Sequence, residues 1–254
     1  MNKTEQLKLK KELSRFEPFI AQLSRQDLVS GRWLPRFLEH LLGSYTVTTT
    51  PEEVRAAHPG VEEEQLHEAI ISRAMYAAIA APSAHLETGT STDIRMLTDT
   101  RRGGTPQRLT PGAAAVVSEL LYVLKLCVDL IFALAAAQRR RMDAGQVELV
   151  CDVLGSALGA FDWEGAKAKA SEQGGDAREA LGAKIYDRAI VQPLSQDHPL
   201  NLRKGFYCHF TKSVGRTALG MVGALPEWVE QPKEDEAATG AMMALEPDET
   251  GFMT

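Results

Sequence analysis

Apolar residues crowd most densely between Ala113 and Ala137, AAAVVSELLYVLKLCVDLIFALAAA, and the rest of the pattern reads as shorter amphipathic helices that would cover this run. Thr110-Pro111 opens it with a capping residue and a first-turn proline, and Arg139, Arg140 and Arg141 close it where a helix C-terminus favours cations. Its twelve large apolar residues would favour membrane insertion by roughly 4–7 kcal/mol in total. Glu119, Lys125 and Asp129 would oppose it by roughly 8–10 kcal/mol together, so the charges win. On a helical wheel Ser118, Glu119, Tyr122, Lys125 and Asp129 share one arc of about 120°, with the remaining circumference apolar. The expectation is the central helix of an all-α, multi-helix bundle spanning about residues 110–140. Leu120, Leu124, Val128 and Ile131 fall opposite the polar arc and are expected to be buried.

On either side of this run the apolar positions recur at helical spacing. Leu9, Leu13, Phe16, Ile20 and Leu23 predict a first helix, interrupted near Glu17 by Pro18. A short helix follows over Trp33–Leu42, and Thr50-Pro51-Glu52-Glu53 is a capping box that starts another. Thr46–Thr50 is β-prone but isolated. A longer helix is predicted from Val61 to Ala81, stopped by Pro82. Residues 83–112 are rich in Thr, Gly, Pro and Arg and predict a long flexible loop, with at most a helical turn at Asp93–Leu97. Beyond the central run, a helix over Gln146–Ala160 carries Cys151, Gly155 and Gly159 as a small-residue stripe, expected to be its antiparallel seam with the central helix. Asp162 starts the next helix, and Asp176-Ala177-Arg178-Glu179 reads as a capping box for one reaching Gln192. A last helix, capped by Asn201, runs from Leu202 to Leu225. Residues 1–229 thus form a single α-helical domain.

Charge changes the picture only at the end of the chain. The net charge is −6 over 254 residues, and 230–254 holds seven acids and one lysine, so residues 1–229 carry 27 charges of each sign. The expectation is a neutral body with a disordered acidic C-terminal tail, in which Met242, Met243 and Leu245 form one short apolar island. A neutral body gives no global reason for nucleic-acid binding. The N-terminus shows no apolar secretory region, and Cys127, Cys151 and Cys208 lack metal or disulfide spacing, so a cytoplasmic protein with reduced thiols is expected.

Catalytic patterns are sparse. Glu64 and His67 share a helical face in an ExxH spacing, but the second such pair of a di-iron site is missing. Cys208 and His209 diverge by about 100° on a helix. The chain has no GxSxG elbow, no phosphate-binding GxxxxGK[ST] loop and no dinucleotide GxGxxG turn after a strand. No metal or cofactor is therefore expected. Candidate binding residues are the strip His209, Lys212 and Arg216 on the last helix, Arg101 and Arg102 in the long loop, and Met242, Met243 and Leu245 in the tail. These features predict a non-enzymatic interaction or adaptor protein that docks a protein partner through its surface and tail. Two alternatives are peripheral membrane association through the apolar helix pair 113–160, and an enzyme with a cleft around Glu119, Lys125 and Asp129.

Overall fold

A computed structural model of the chain describes residues 3–43, 49–83, 91–99, 107–143 and 145–229. Every regular element among the described residues is a helix and none is a β-strand, which establishes the all-α bundle. At its centre lies α8 (Pro111–Ala137), and beside it α13 (Pro199–Met221). The two run parallel: Glu119 meets Arg203, Cys127 meets Thr211, and Gln138 meets the Leu219 carbonyl. α6 (Leu66–Ala80) packs on both, completing a three-helix core. Leu120, Leu124, Val128 and Ile131 are all buried, as the wheel predicts.

The shell follows from local sequence signals. α1 (Lys3–Ser14) and α2 (Glu17–Ile20) are separated at Arg15-Phe16 ahead of Pro18, and both lie against α8. α3 (Arg25–Ser30), which the apolar pattern misses, is started by a capping box between Ser24 and Asp27 and ended by left-handed Gly31. α4 (Trp33–Gly43) brings Trp33, Phe37 and Leu38 fully into the core. The Thr50–Glu53 capping box starts α5 (Pro51–Ala56) as expected. Part of the stretch expected to be loop is α7 (Ser91–Thr98), held by buried Leu97 and by Asp93, which accepts a hydrogen bond from the Thr110 hydroxyl. Thr110 in turn caps α8.

α9 (Val147–Ala157) corrects one expectation. It packs mainly on α13, not on α8. Gly155 is required by Trp163 instead, since a Cβ there would sit 2.6 Å from the indole. Gly159 lies past the end of the helix at φ 69°. A small-residue stripe reports a close approach without saying to what. α10 (Trp163–Gln173) ends at left-handed Gly174. α11 (Ala177–Tyr186) is capped by Asp176 accepting from the Arg178 amide, without the reciprocal Glu179 bond. It continues through a π-helical turn, Asp187–Val191, into α12 (Gln192–Leu194). α13 begins at Pro199 after left-handed His198, three residues earlier than Leu202, and Asn201 is not its cap.

α8 is long and apolar enough to cross a membrane, with a mean hydropathy of 2.2 over its most apolar stretch, but 67% of that stretch is buried inside the protein. Most of its apolar surface is matched by protein.

Candidate functional site

The polar arc of α8 does not form one site. Glu119 and Asp129 are ten residues apart, or about 15 Å along the axis. Glu119 is 1% exposed and pairs with Arg203 of α13, also 1% exposed. Burial pushes the Glu119 carboxyl up to about 7, against the opposing pull of Arg203. The guanidinium stands 5.9 Å from the centre of the Tyr207 ring. This is a sealed ionic cluster between two packed helices, with Cys127 and Thr211 one layer further along. Burial also pushes the Cys127 thiol up to about 12, so it stays protonated.

Lys125 and Asp129 lie elsewhere, on a partly exposed edge, with Nζ 2.5 Å from the carboxylate and side chains 27% and 37% exposed. A pair so placed contributes only tenths of a kcal/mol. Asp129→Asn is therefore expected to lower urea-unfolding stability by less than about 0.5 kcal/mol. A loss of several kcal/mol would show that the carboxylate is sealed in. The expected cleft of Glu119, Lys125 and Asp129 is thus corrected. The wheel places residues at angles but cannot say that a second helix covers only the N-terminal half of the arc.

A groove that the sequence reading does not anticipate lies among α9, α10 and α11, with a volume of about 880 Å³. Both of its cations are engaged by carboxylates within the groove, which keeps an excess of acid. The Trp163 indole N–H donates to Asp152 at 2.7 Å, Lys167 bridges Asp152 and Glu164, and Arg178 clamps Asp176 while reaching Glu39 at 3.6 Å. Burial raises the Cys151 thiol at its base to about 12, although Arg178 opposes this. A thiol so placed is no nucleophile at neutral pH. Among the described residues no three His, Cys, Asp or Glu side chains come together to hold a metal ion.

The remaining site is the outer face of α13. Arg203, Tyr207, Phe210, Thr211, Val214, Gly215 and Ala218 turn into the core. On the opposite side His209 and Arg216 are exposed and Lys212 is half-buried, and no carboxylate among the described residues pairs with any of them. The structure therefore brings the three predicted strip residues onto one solvent face. Leu202, 44% exposed, and exposed Gly205 extend the same line. The steps from 202 to 205, 209, 212 and 216 alternate three and four residues, so the line is nearly parallel to the helix axis, as in a heptad seam. A Cβ at Gly205 would meet nothing within 4 Å, so the seam is open there. Arg101, Arg102, Met242, Met243 and Leu245 lie outside the described residues.

Comparison with known proteins adds no relative. No family model, no curated protein and no solved structure matches this chain.

Proposed function

We propose that this chain is a non-catalytic helical interaction protein, and that the outer face of α13 docks an acidic amphipathic segment of a partner protein. The observation that carries this reading is the seam Leu202, Gly205, His209, Lys212 and Arg216: a heptad-spaced line in which Lys212 and Arg216 stand beside the His209 imidazole with no carboxylate among the described residues paired to them, flanked by an open glycine and an apolar end. A helix or extended segment with carboxylates in the same rhythm would pair with the cations and lay an apolar residue on Leu202. Such charge complementarity supplies register and association rate more than raw affinity. An acidic protein segment fits better than a polyanion, because Lys212 and Arg216 on a neutral body make too small a field to hold nucleic acid. It fits better than a lipid surface as well, since most of the apolar stretch of α8 is turned into the protein.

The test is fluorescence anisotropy with a labelled synthetic helical peptide carrying glutamate at four-residue intervals and leucine every seventh position. At low salt it is expected to bind the full chain. Charge reversal by Lys212→Glu with Arg216→Glu should weaken that binding by about tenfold or more, the effect of opposing like charges across an interface. Reversal of Lys10 and Lys11, exposed on α1, should leave it unchanged. Equal losses from both pairs of reversals, or no binding at all, would overturn the reading.

A further inference from the structure

The seam on α13 is one edge of a wider surface, and the rest of it lies on α6. Gly215 approaches Ile71 so closely that a Cβ on it would come within 2.6 Å of the isoleucine side chain. Leu66, at the start of α6, lines a hollow with Ala137 at the C-terminus of α8, the end at which Gln138 meets Leu219. α6 therefore runs antiparallel to α13, and residues 73–79 come level with residues 207–213. The solvent side of α6 is apolar, where such a side is ordinarily polar. Counting away from Ile71 at 100° per residue, Met75, Ile79, Tyr76 and Arg73 follow at about 40°, 80°, 140° and 200°. Tyr76 is 69% exposed, and Met75 and Ile79 are half-buried without joining the hydrophobic core. Exposed Glu68 ends the strip on one side of Ser72. Arg73, also exposed, donates to the Ala57 carbonyl at 2.9 Å and pairs with no carboxylate among the described residues. On α13 the same count from Gly215 puts Lys212 at about 60° and Arg216 at about 100°, toward solvent. An apolar strip thus lies between two cationic edges, Arg73 on one side and Lys212 with Arg216 on the other.

Resting on the docking reading above, we infer that α6 and α13 together receive one amphipathic helix of a partner, its apolar face bordered by carboxylates on both flanks. Met75, Tyr76 and Ile79 take the apolar face, and Arg73, Lys212 and Arg216 take the two rows of acids. Helices packed as closely as α6 and α13 have axes about 8–10 Å apart. The two cationic edges therefore straddle a single helix, which is about 10–12 Å wide with its side chains. An extended segment fits less well, because α6 and α13 use their backbone groups internally and offer no strand edge to pair with. Aromatic side chains at the centre of a contact carry most of its binding energy, while charges at the rim set register and association rate. Tyr76 is thus the anchor of the site, and the seam is its guide.

Two labelled peptides test this by fluorescence anisotropy on the full chain. One is the seam peptide above, with leucine at every seventh position. The other carries leucine at alternating three- and four-residue steps, with glutamate on both sides of that row. The second is expected to bind about tenfold tighter or more, the effect of adding a buried apolar anchor. Tyr76→Ser should abolish that advantage, and Arg73→Glu should weaken the second peptide by about threefold or more. Leu7→Ser, at a leucine 62% exposed on α1, should change neither affinity. The urea midpoint of Tyr76→Ser should match that of the native chain, which separates a lost contact from a lost fold. If the second peptide binds no tighter than the first, or keeps its advantage on Tyr76→Ser, the α6 strip plays no part. The inference is then wrong while the docking reading stands. Sedimentation with phosphatidylserine vesicles that Tyr76→Ser abolishes would assign the strip to a membrane and overturn the inference as well. If neither peptide binds, the docking reading fails, and the inference falls with it.

Discussion

At pH 8, Arg203→Met is expected to destabilise the protein by about 3–5 kcal/mol in urea unfolding, because it leaves Glu119 to bury its charge without a partner or to take up a proton. The pair as a whole is a different matter. Two charges taken out of water lose several kcal/mol each in solvation, and their mutual attraction does little more than offset this. The double variant Glu119→Leu/Arg203→Met should therefore recover most of the loss, to within about 1–2 kcal/mol of the native chain. A double variant as unstable as the single one would show that the pair is a net source of stability.

The same cluster predicts a pH dependence. Glu119 has an ordinary carboxyl value of 4.5 in the unfolded chain and about 7 in the folded one, raised by burial in spite of Arg203. The folded state thus holds this proton more tightly. Its contribution is fully present below about pH 4.5 and is lost as pH rises through about 7. The amount at stake is about 3 kcal/mol. Urea midpoints measured from pH 5 to 8 should fall for the native chain and stay flatter for Glu119→Gln. Parallel curves would mean that Glu119 remains ionised over the whole interval.

Gly31→Ala is expected to be the other severe substitution. Gly31 ends α3 at φ 82°, and a Cβ there would stand 1.8 Å from the Glu179 carbonyl oxygen and 2.5 Å from the Ala183 nitrogen. Both are backbone atoms of α11, which cannot rotate away as a side chain could. The partner surface is equally spare: a Cβ on Gly182 would come within 2.5 Å of the Gly31 carbonyl oxygen. The left-handed backbone costs about 1–2 kcal/mol for alanine, and overpacking adds about 1–3. Gly60→Ala isolates the first part, because Gly60 has φ 74° and open space around it. A Gly31→Ala loss no greater than that of Gly60→Ala would show that α11 moves aside freely.

Gly31 also shows where reading the chain stops. The Ser24-Arg25-Gln26-Asp27 capping box and the glycine after Ser30 are a complete start and stop, yet α3 has too few periodic apolar positions to announce itself. By contrast α8, α4 and the Thr50 cap are legible because one local rule decides each of them. Arg203 goes unmarked by periodicity, and nothing within twenty residues of it says that it is buried against Glu119. That pairing spans 84 positions and exists only once α8 and α13 lie side by side. The solvent-facing strip His209, Lys212 and Arg216 was legible for the opposite reason, since it depends only on the spacing within one helix. Its neighbour Leu202 was not, because exposure of a leucine is settled by what fails to cover it.

The parallel arrangement of α8 and α13 also bears on how the chain is made. Parallel neighbours cannot be joined by a short turn, and here the return path runs from Gln138 to His198. During synthesis, α6 and α8 emerge with the surface meant for α13 still bare, and Glu119 has no counter-charge until Arg203 appears. The fold closes with its last helix. Such long-range closure slows folding and leaves apolar surface open to other chains while it waits. A nascent chain halted before Pro199 should therefore be a client for chaperones, however much of the domain it already contains.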